Sequence, residues 1–370
     1  MSSRRREFLI RLGMAAAGLL FSLLLAEATL RLLGFTPERF NNMGRMVDPH
    51  WTTLLDCYPT NPRGYFDLDL REPATRARLQ HVAPVRYDAV ARRAPYAVEF
   101  HYNSLRFRDQ PLGPKPPGVR RVMILGDSFT EGQGVREPDT CVRVLEKLLN
   151  RQDPGKWEVR NCGRRGTDFP ALAEAFEALL PYDPDIVIYA MVLNDPDQSP
   201  EFHARQTYAN DWILDQERMV KHGAGPLPGP WSSRLASLLG DRLTAWRVGR
   251  ETTRWYLDMY GEPNRRGWER TQARIREMDR RVRERGGQFL VVVWPLLVAF
   301  EGRYPFTPAH DAIARFCREA GIAHHDLLQL FRGRQTAPLW VHPVDRHPNQ
   351  IANRLAAEDL LPVVQGLAHR

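Results

Sequence analysis

Four stretches of this 370-residue chain carry side chains that could do chemistry together. In "RVMILGDSFTEGQGV" an apolar run ends on Gly126-Asp127-Ser128, placing a hydroxyl where a strand meets a turn. A serine alone is a weak nucleophile and needs a neighbouring base whose tautomer is fixed by an acid. Taken alone, Ser128 could equally be a helix cap, a position that Ser and Asp both favour. Near the other end, "HPVDRHPNQIANRLAAEDL" places Asp345 and His347 two apart in a Pro-bounded loop before a helix. Neutral His347 could take the serine proton while Asp345 holds the other ring nitrogen; by itself, the same D-x-H could be an ordinary surface loop. Between these ends, "NCGRRGTD" offers the backbone N–H of Gly163, which a ligand can approach closely. "YAMVLNDPDQ" offers the side-chain amide of Asn194. With the Ser128 N–H these make three donors, which is what a tetrahedral oxyanion needs. Asp127 and Asp195 read as loop organisers rather than proton carriers.

The elements that must position these residues are legible from Val119 onward. Apolar β-rich runs at Arg121–Leu125, Trp157–Asn161, Ile186–Met191, Gln288–Trp294 and Ala323–Asp326 alternate with helical patterns. The helices are expected over Pro138–Leu149, Pro170–Leu180, Trp268–Arg285, Pro308–Ala320 and Pro348–Leu361. That alternation predicts a parallel sheet covered on both faces, with the strand C-terminal ends along one edge. Each candidate residue just follows a strand or precedes the last helix, so all four stretches meet at that edge. Residues 199–267, rich in Trp and Arg, interrupt the alternation and read as a helical insertion, a substrate wall or extra helices packed on the side. Residues 36–118 hold many turn formers and read as an irregular extension, closed by the Pro/Gly cluster from Pro111 to Gly118.

Ser128, Gly163, Asn194 and His347, in this order, resemble the four blocks of the SGNH (GDSL-like) hydrolase family, over about residues 119–365. "GDSFTEGQGV" and "DRHPN" are the most specific parts; the G-x-S-x-G elbow of the alpha/beta-hydrolases is absent. The resemblance implies a three-layer α/β/α flavodoxin-like fold and serine acyl transfer, with the serine, glycine and asparagine as oxyanion hole. The chain departs from the family pattern at two blocks. Val192 stands where G-x-N-D has its glycine, and Asp345-Arg346-His347 is D-x-H instead of D-x-x-H, which alters the approach of acid to base. Upstream, "NSLRFRD" resembles an N-x-x-G-F-R segment found in exported members, with Leu105-Arg106 where Ser-Gly-like residues are expected; Arg108 could line the site.

The N-terminus bears on compartment. Arg4–Arg6 precede an apolar run from Leu12 to Ala26, which reaches the roughly 20 residues of a membrane span if extended from Phe8 to Leu33. Residues 1–35 therefore read as a membrane anchor with the arginines cytoplasmic, or as a cleaved signal ending near Ala26-Glu27-Ala28. Either places residues 119–370 outside the cytoplasm. The formal charge of +8 is spread along the chain without an RNA-binding signature or zinc-ligand spacing, which argues against nucleic acid. Cys57, Cys141, Cys162 and Cys317 are too dispersed for a metal site, and no phosphate- or dinucleotide-binding motif implies a cofactor. The expected activity is hydrolysis of an acylated glycan or small ester; the alternatives are O-acetylation of an envelope polysaccharide and a non-catalytic envelope binding protein.

Overall fold

The computed structural model describes residues 3–35, 44–58, 68–69, 73, 83–84, 96–205, 232–342 and 345–368. The chain divides into two units: Met1–Asn41 with Ala209–Thr252, and Asn42–Tyr208 with Thr253–Arg370. The smaller unit contains α1 (Ser3–Leu32), whose apolar side chains are exposed. Its stretch Arg5–Leu32 is long and apolar enough to cross a membrane.

The larger unit begins with a sheet where the sequence predicts irregular chain. Strands β1 (Gly44–Val47), β2 (Thr53–Tyr58), β3 (Leu68–Asp69), β4 (Ala83–Pro84) and β5 (Tyr96–His101) pair antiparallel in the order β3-β5-β2-β1-β4. Two of these strands have only two residues, too short to carry a period. The central β2 hides its signal differently: all six residues are buried, Thr53 and Asp56 among them, so polar and apolar positions do not alternate.

The second sheet follows the expected pattern. Strands β6 (Arg120–Gly126), β7 (Trp157–Gly163), β8 (Ile186–Val192), β9 (Gln288–Trp294) and β10 (Ala323–Asp326) are all parallel. Their spatial order is β7-β6-β8-β9-β10, the 2-1-3-4-5 arrangement of flavodoxin-like sheets. After β6 come α2 (Ser128–Glu131) and α3 (Cys141–Gln152); α4 (Phe169–Leu179) joins β7 to β8. Between β8 and β9 lie α5 (Arg234–Asp258) and α6 (Arg265–Arg283), and α7 (Thr307–Ala320) leads to β10. The chain closes with α8 (Leu328–Phe331), the hairpin β11 (Trp340–His342) and β12 (Asp345–Pro348), and α9 (Gln350–Ala368). Helix α3 packs against α9 and α4 against α6, so the two faces of the sheet are covered and its three central strands, β6, β8 and β9, are buried along nearly their whole length. Of the expected insertion, 206–231 lie outside the described residues. Most of α5 belongs to the smaller unit, where Glu27 of α1 caps it, accepting from the N–H groups of Arg234 (2.9 Å) and Leu235 (2.8 Å).

Candidate active site

The parallel register sets Gly126 beside Gly163 on one side and Ala190 on the other, so β6 and β7 end together and β8 runs two residues further. Directly after β6 the chain enters α2. Its cap is Asp127, whose carboxylate accepts from the Phe129 N–H at 2.8 Å. Ser128 is therefore the first residue of the turn rather than its cap, and its hydroxyl lies 2.8 Å from Nε2 of His347.

His347 and Asp345 stand on β12. Side chains two apart on a strand share a face, so the D-x-H spacing brings the two together where a helix or loose loop would not. Asp345 Oδ1 accepts from the His347 backbone N–H at 3.1 Å and is hydrogen-bonded to Nδ1 of the same residue. The missing residue of the block is thus absorbed by extended backbone. Asp345 Oδ2 accepts from Gln133 Nε2 at 3.0 Å and from the Tyr58 hydroxyl at 3.1 Å. Burial alone would raise the Asp345 carboxyl, but the His347 charge and the bonds from His347 and Gln133 hold it well below the usual carboxylate range. On His347 burial opposes the charge, while Asp345 and, more weakly, Asp127 leave the imidazole above its ordinary value. The Phe129 ring stands edge-on to the imidazole at 5.3 Å and in turn against Trp294, a core residue at the strand end.

Gly163 does not take the place expected of it. Its N–H donates to Oδ1 of Asn161 at 3.0 Å, so that donor is already used. A side chain there would meet the backbone of α2, with Glu131 N at 2.2 Å and Thr130 C at 2.7 Å. The glycine is needed for this close packing of the turn on β7. Asn194 sits exposed in the turn after β8. Asp195 is buried, accepts from Tyr189 Oη at 2.7 Å and the Val192 N–H at 3.0 Å, and is driven well up by burial and by the Asp127 charge. Burial likewise pushes Asp127 up to about 6.

Arg108 does not line the site as expected. It is buried, stacks on Phe100 with 3.8 Å to the ring centroid, and donates to the carbonyls of Gly132 (2.9 Å) and Glu131 (3.3 Å). Asp109, its neighbour, pairs with Arg143 and Arg160 and accepts from the Asn161 N–H at 2.5 Å. The NSLRFRD segment therefore clamps the loop after α2 and the strand β7. Arg165, on the loop after β7, bridges Asp56 (2.5 Å) and Glu131, and Tyr102 donates to Glu131 at 3.0 Å. Tyr58 and Gln133 were invisible to sequence reasoning: Tyr58 lies 287 positions from Asp345, and a lone glutamine between two glycines has no pattern of its own. Among the described residues no group of three or more His, Cys, Asp or Glu could hold a metal, and all four cysteines are buried thiols.

The sequence profile described as the GDSL-like Lipase/Acylhydrolase family matches residues 124–355. Among solved structures, the chain is similar to a psychrotrophic esterase from a Pseudoalteromonas species, with 11% identity and a TM-score of 0.39, over 68% of this chain and 100% of the other. A similar likeness links it to a catalytic mutant of an acetylxylan esterase from Geobacillus stearothermophilus, with 14% identity and a TM-score of 0.40, over 66% of this chain and 94% of the other. No protein of curated function matches the chain.

Proposed function

The chain belongs to the GDSL-like lipase/acylhydrolase family and is an ester-bond hydrolase; from that premise we propose that it works through Ser128, His347 and Asp345, outside the cytoplasm, on an acylated glycan or small ester. The single observation that carries this reading is the 2.8 Å contact between Ser128 Oγ and His347 Nε2, with Asp345 bonded to the opposite ring nitrogen. Neutral imidazole with its proton on Nδ1 accepts the serine proton at Nε2 as Oγ attacks the ester carbonyl. The tetrahedral oxyanion collapses, the leaving alkoxide takes the proton back from Nε2, and the acyl group stays on Ser128. Water, deprotonated by the same nitrogen, then releases the acid and restores the serine.

For the oxyanion, the Ser128 N–H and the Asn194 amide remain available in this reading. The third donor comes from the loop after β7, and Gly166 suits it better than Gly163: it turns with φ +66° and has nothing within 4 Å of where a Cβ would stand. The helix α1 supports an anchored enzyme, with Arg4–Arg6 held on the cytoplasmic side by the positive-inside tendency. Ser128→Ala in the full chain should lower p-nitrophenyl acetate hydrolysis on the order of 10⁴-fold or more. Undiminished turnover in that variant would end this reading. Product analysis with an added oligosaccharide separates hydrolysis from transfer of the acyl group to a sugar hydroxyl.

A further inference from the structure

We infer that the N-terminal antiparallel sheet is part of the active site, with Tyr58 as a positioning residue for Asp345. This rests on the reading of Asp345 and His347 given above and extends it to a segment that the family match, beginning at residue 124, does not include. Two residues of β2 two positions apart, and therefore on one face, reach the catalytic loops. Tyr58, fully buried, donates to Asp345 Oδ2. Asp56 pairs with Arg165, which also holds Glu131 at the end of α2, where Tyr102, just beyond β5, donates as well. The fit is tight: a Cβ on Gly134 would lie 2.5 Å from the Tyr58 oxygen and 2.4 Å from Val341 Cγ1.

The bonds on Asp345 are divided by oxygen. Among the described residues Oδ1 serves His347, through two contacts, and Oδ2 serves two neutral donors, Gln133 and Tyr58. Donors on Oδ2 prevent the carboxylate from rotating and draw charge away from Oδ1. Removing one leaves a carboxylate that binds the imidazolium more strongly and is less well oriented, so His347 holds its proton to higher pH and passes it less readily. The charged groups that act on His347 are Asp345, Asp127 and Arg165, and Tyr58→Phe removes none of them from the chain.

The test uses the full chain in detergent. Tyr58→Phe keeps the ring and deletes only the hydroxyl. Its kcat should fall about tenfold with KM nearly unchanged, and the acid limb of kcat/KM should move to higher pH. Tyr58→Phe with Gln133→Leu should lose about a hundredfold and shift the limb further. A purely structural role for Tyr58 would lower the folded fraction or the melting temperature and leave the limb unmoved; that result overturns the inference, as does wild-type kcat in Tyr58→Phe. Ser128→Ala, measured alongside, keeps the two readings apart. If it is inactive while Tyr58→Phe is unaltered, only the positioning role fails; if it stays active, both fail.

Discussion

At the scale of single residues, the proposed machinery sets stability against activity. His347 lies above its ordinary value of about 6.5, so below that value it carries the proton it would have to accept. The acid limb of kcat/KM should therefore have its midpoint above about 6.5. The raised His347 contributes stability that is fully present below its unfolded value and is lost as pH rises through its folded one. The depressed Asp345 contributes stability above its unfolded value of about 3.9, lost as pH falls through its folded one. Both contributions are present together between about pH 4 and 6.5, where the base is failing. Asp345→Asn should lower kcat by about 10⁴-fold, and its melting temperature should fall furthest below wild type in that acidic window; an even deficit across pH would refute the coupling. The types and order of Ser128, Asp345 and His347 were legible in the sequence because each chemistry admits few residue types. What the spacing concealed was backbone: D-x-H differs from D-x-x-H only until β12 is seen to be a strand. Gly163 misled for a related reason, since a glycine required by close packing and one required by a ligand read alike.

At the scale of elements, the segment Asn103–Asp109 shows how a short irregular stretch can be fixed. The Asn103 side chain accepts from the N–H groups of Leu105 (3.0 Å) and Phe107 (3.1 Å), closing a turn in which Arg106 sits at φ +60°. A side chain in that region costs about 1–2 kcal/mol, and glycine avoids it. This is the position where the resembling segment N-x-x-G-F-R has glycine. Because Arg106 is exposed, its side chain gives little in return. Arg106→Gly should therefore stabilise the protein, by about 0.5–1 kcal/mol after the extra entropy of the unfolded glycine, seen as a higher denaturant midpoint at unchanged slope. A lower midpoint would mean that the arginine makes a contact worth more than its backbone strain. The five parallel strands could be located from sequence to within two residues, the central three because buried strands are nearly continuous apolar runs and the edge strands β7 and β10 from the strand–helix alternation around them. The antiparallel sheet could not, because β2 buries Asp56 and Thr53 beside its apolar residues and satisfies Asp56 with an arginine 109 positions away.

At the scale of the whole molecule, the chain has two places where it could be cut, with opposite consequences. Residues before Asn42 belong with the smaller unit, whereas Ser128, His347 and Asp345 all belong to the larger one. A chain beginning at Asn42 should leave the membrane fraction and keep ester hydrolysis, measured per folded molecule. Cutting instead at Asn103 removes three partners of the site, Asp56, Tyr58 and Tyr102. Arg165 would lose Asp56, Glu131 would lose Tyr102, and Asp345 would lose Tyr58, all within buried surroundings. A buried ion pair broken on one side typically costs about 3–5 kcal/mol, a large part of the 5–15 kcal/mol by which domains of this kind are stable. The shorter chain should therefore be largely unfolded or aggregated at 37 °C, although it retains every residue of the family match. If it folded and hydrolysed ester at the rate of the chain beginning at Asn42, the antiparallel sheet would be a spacer, and the reach of β2 into the site would have no energetic weight.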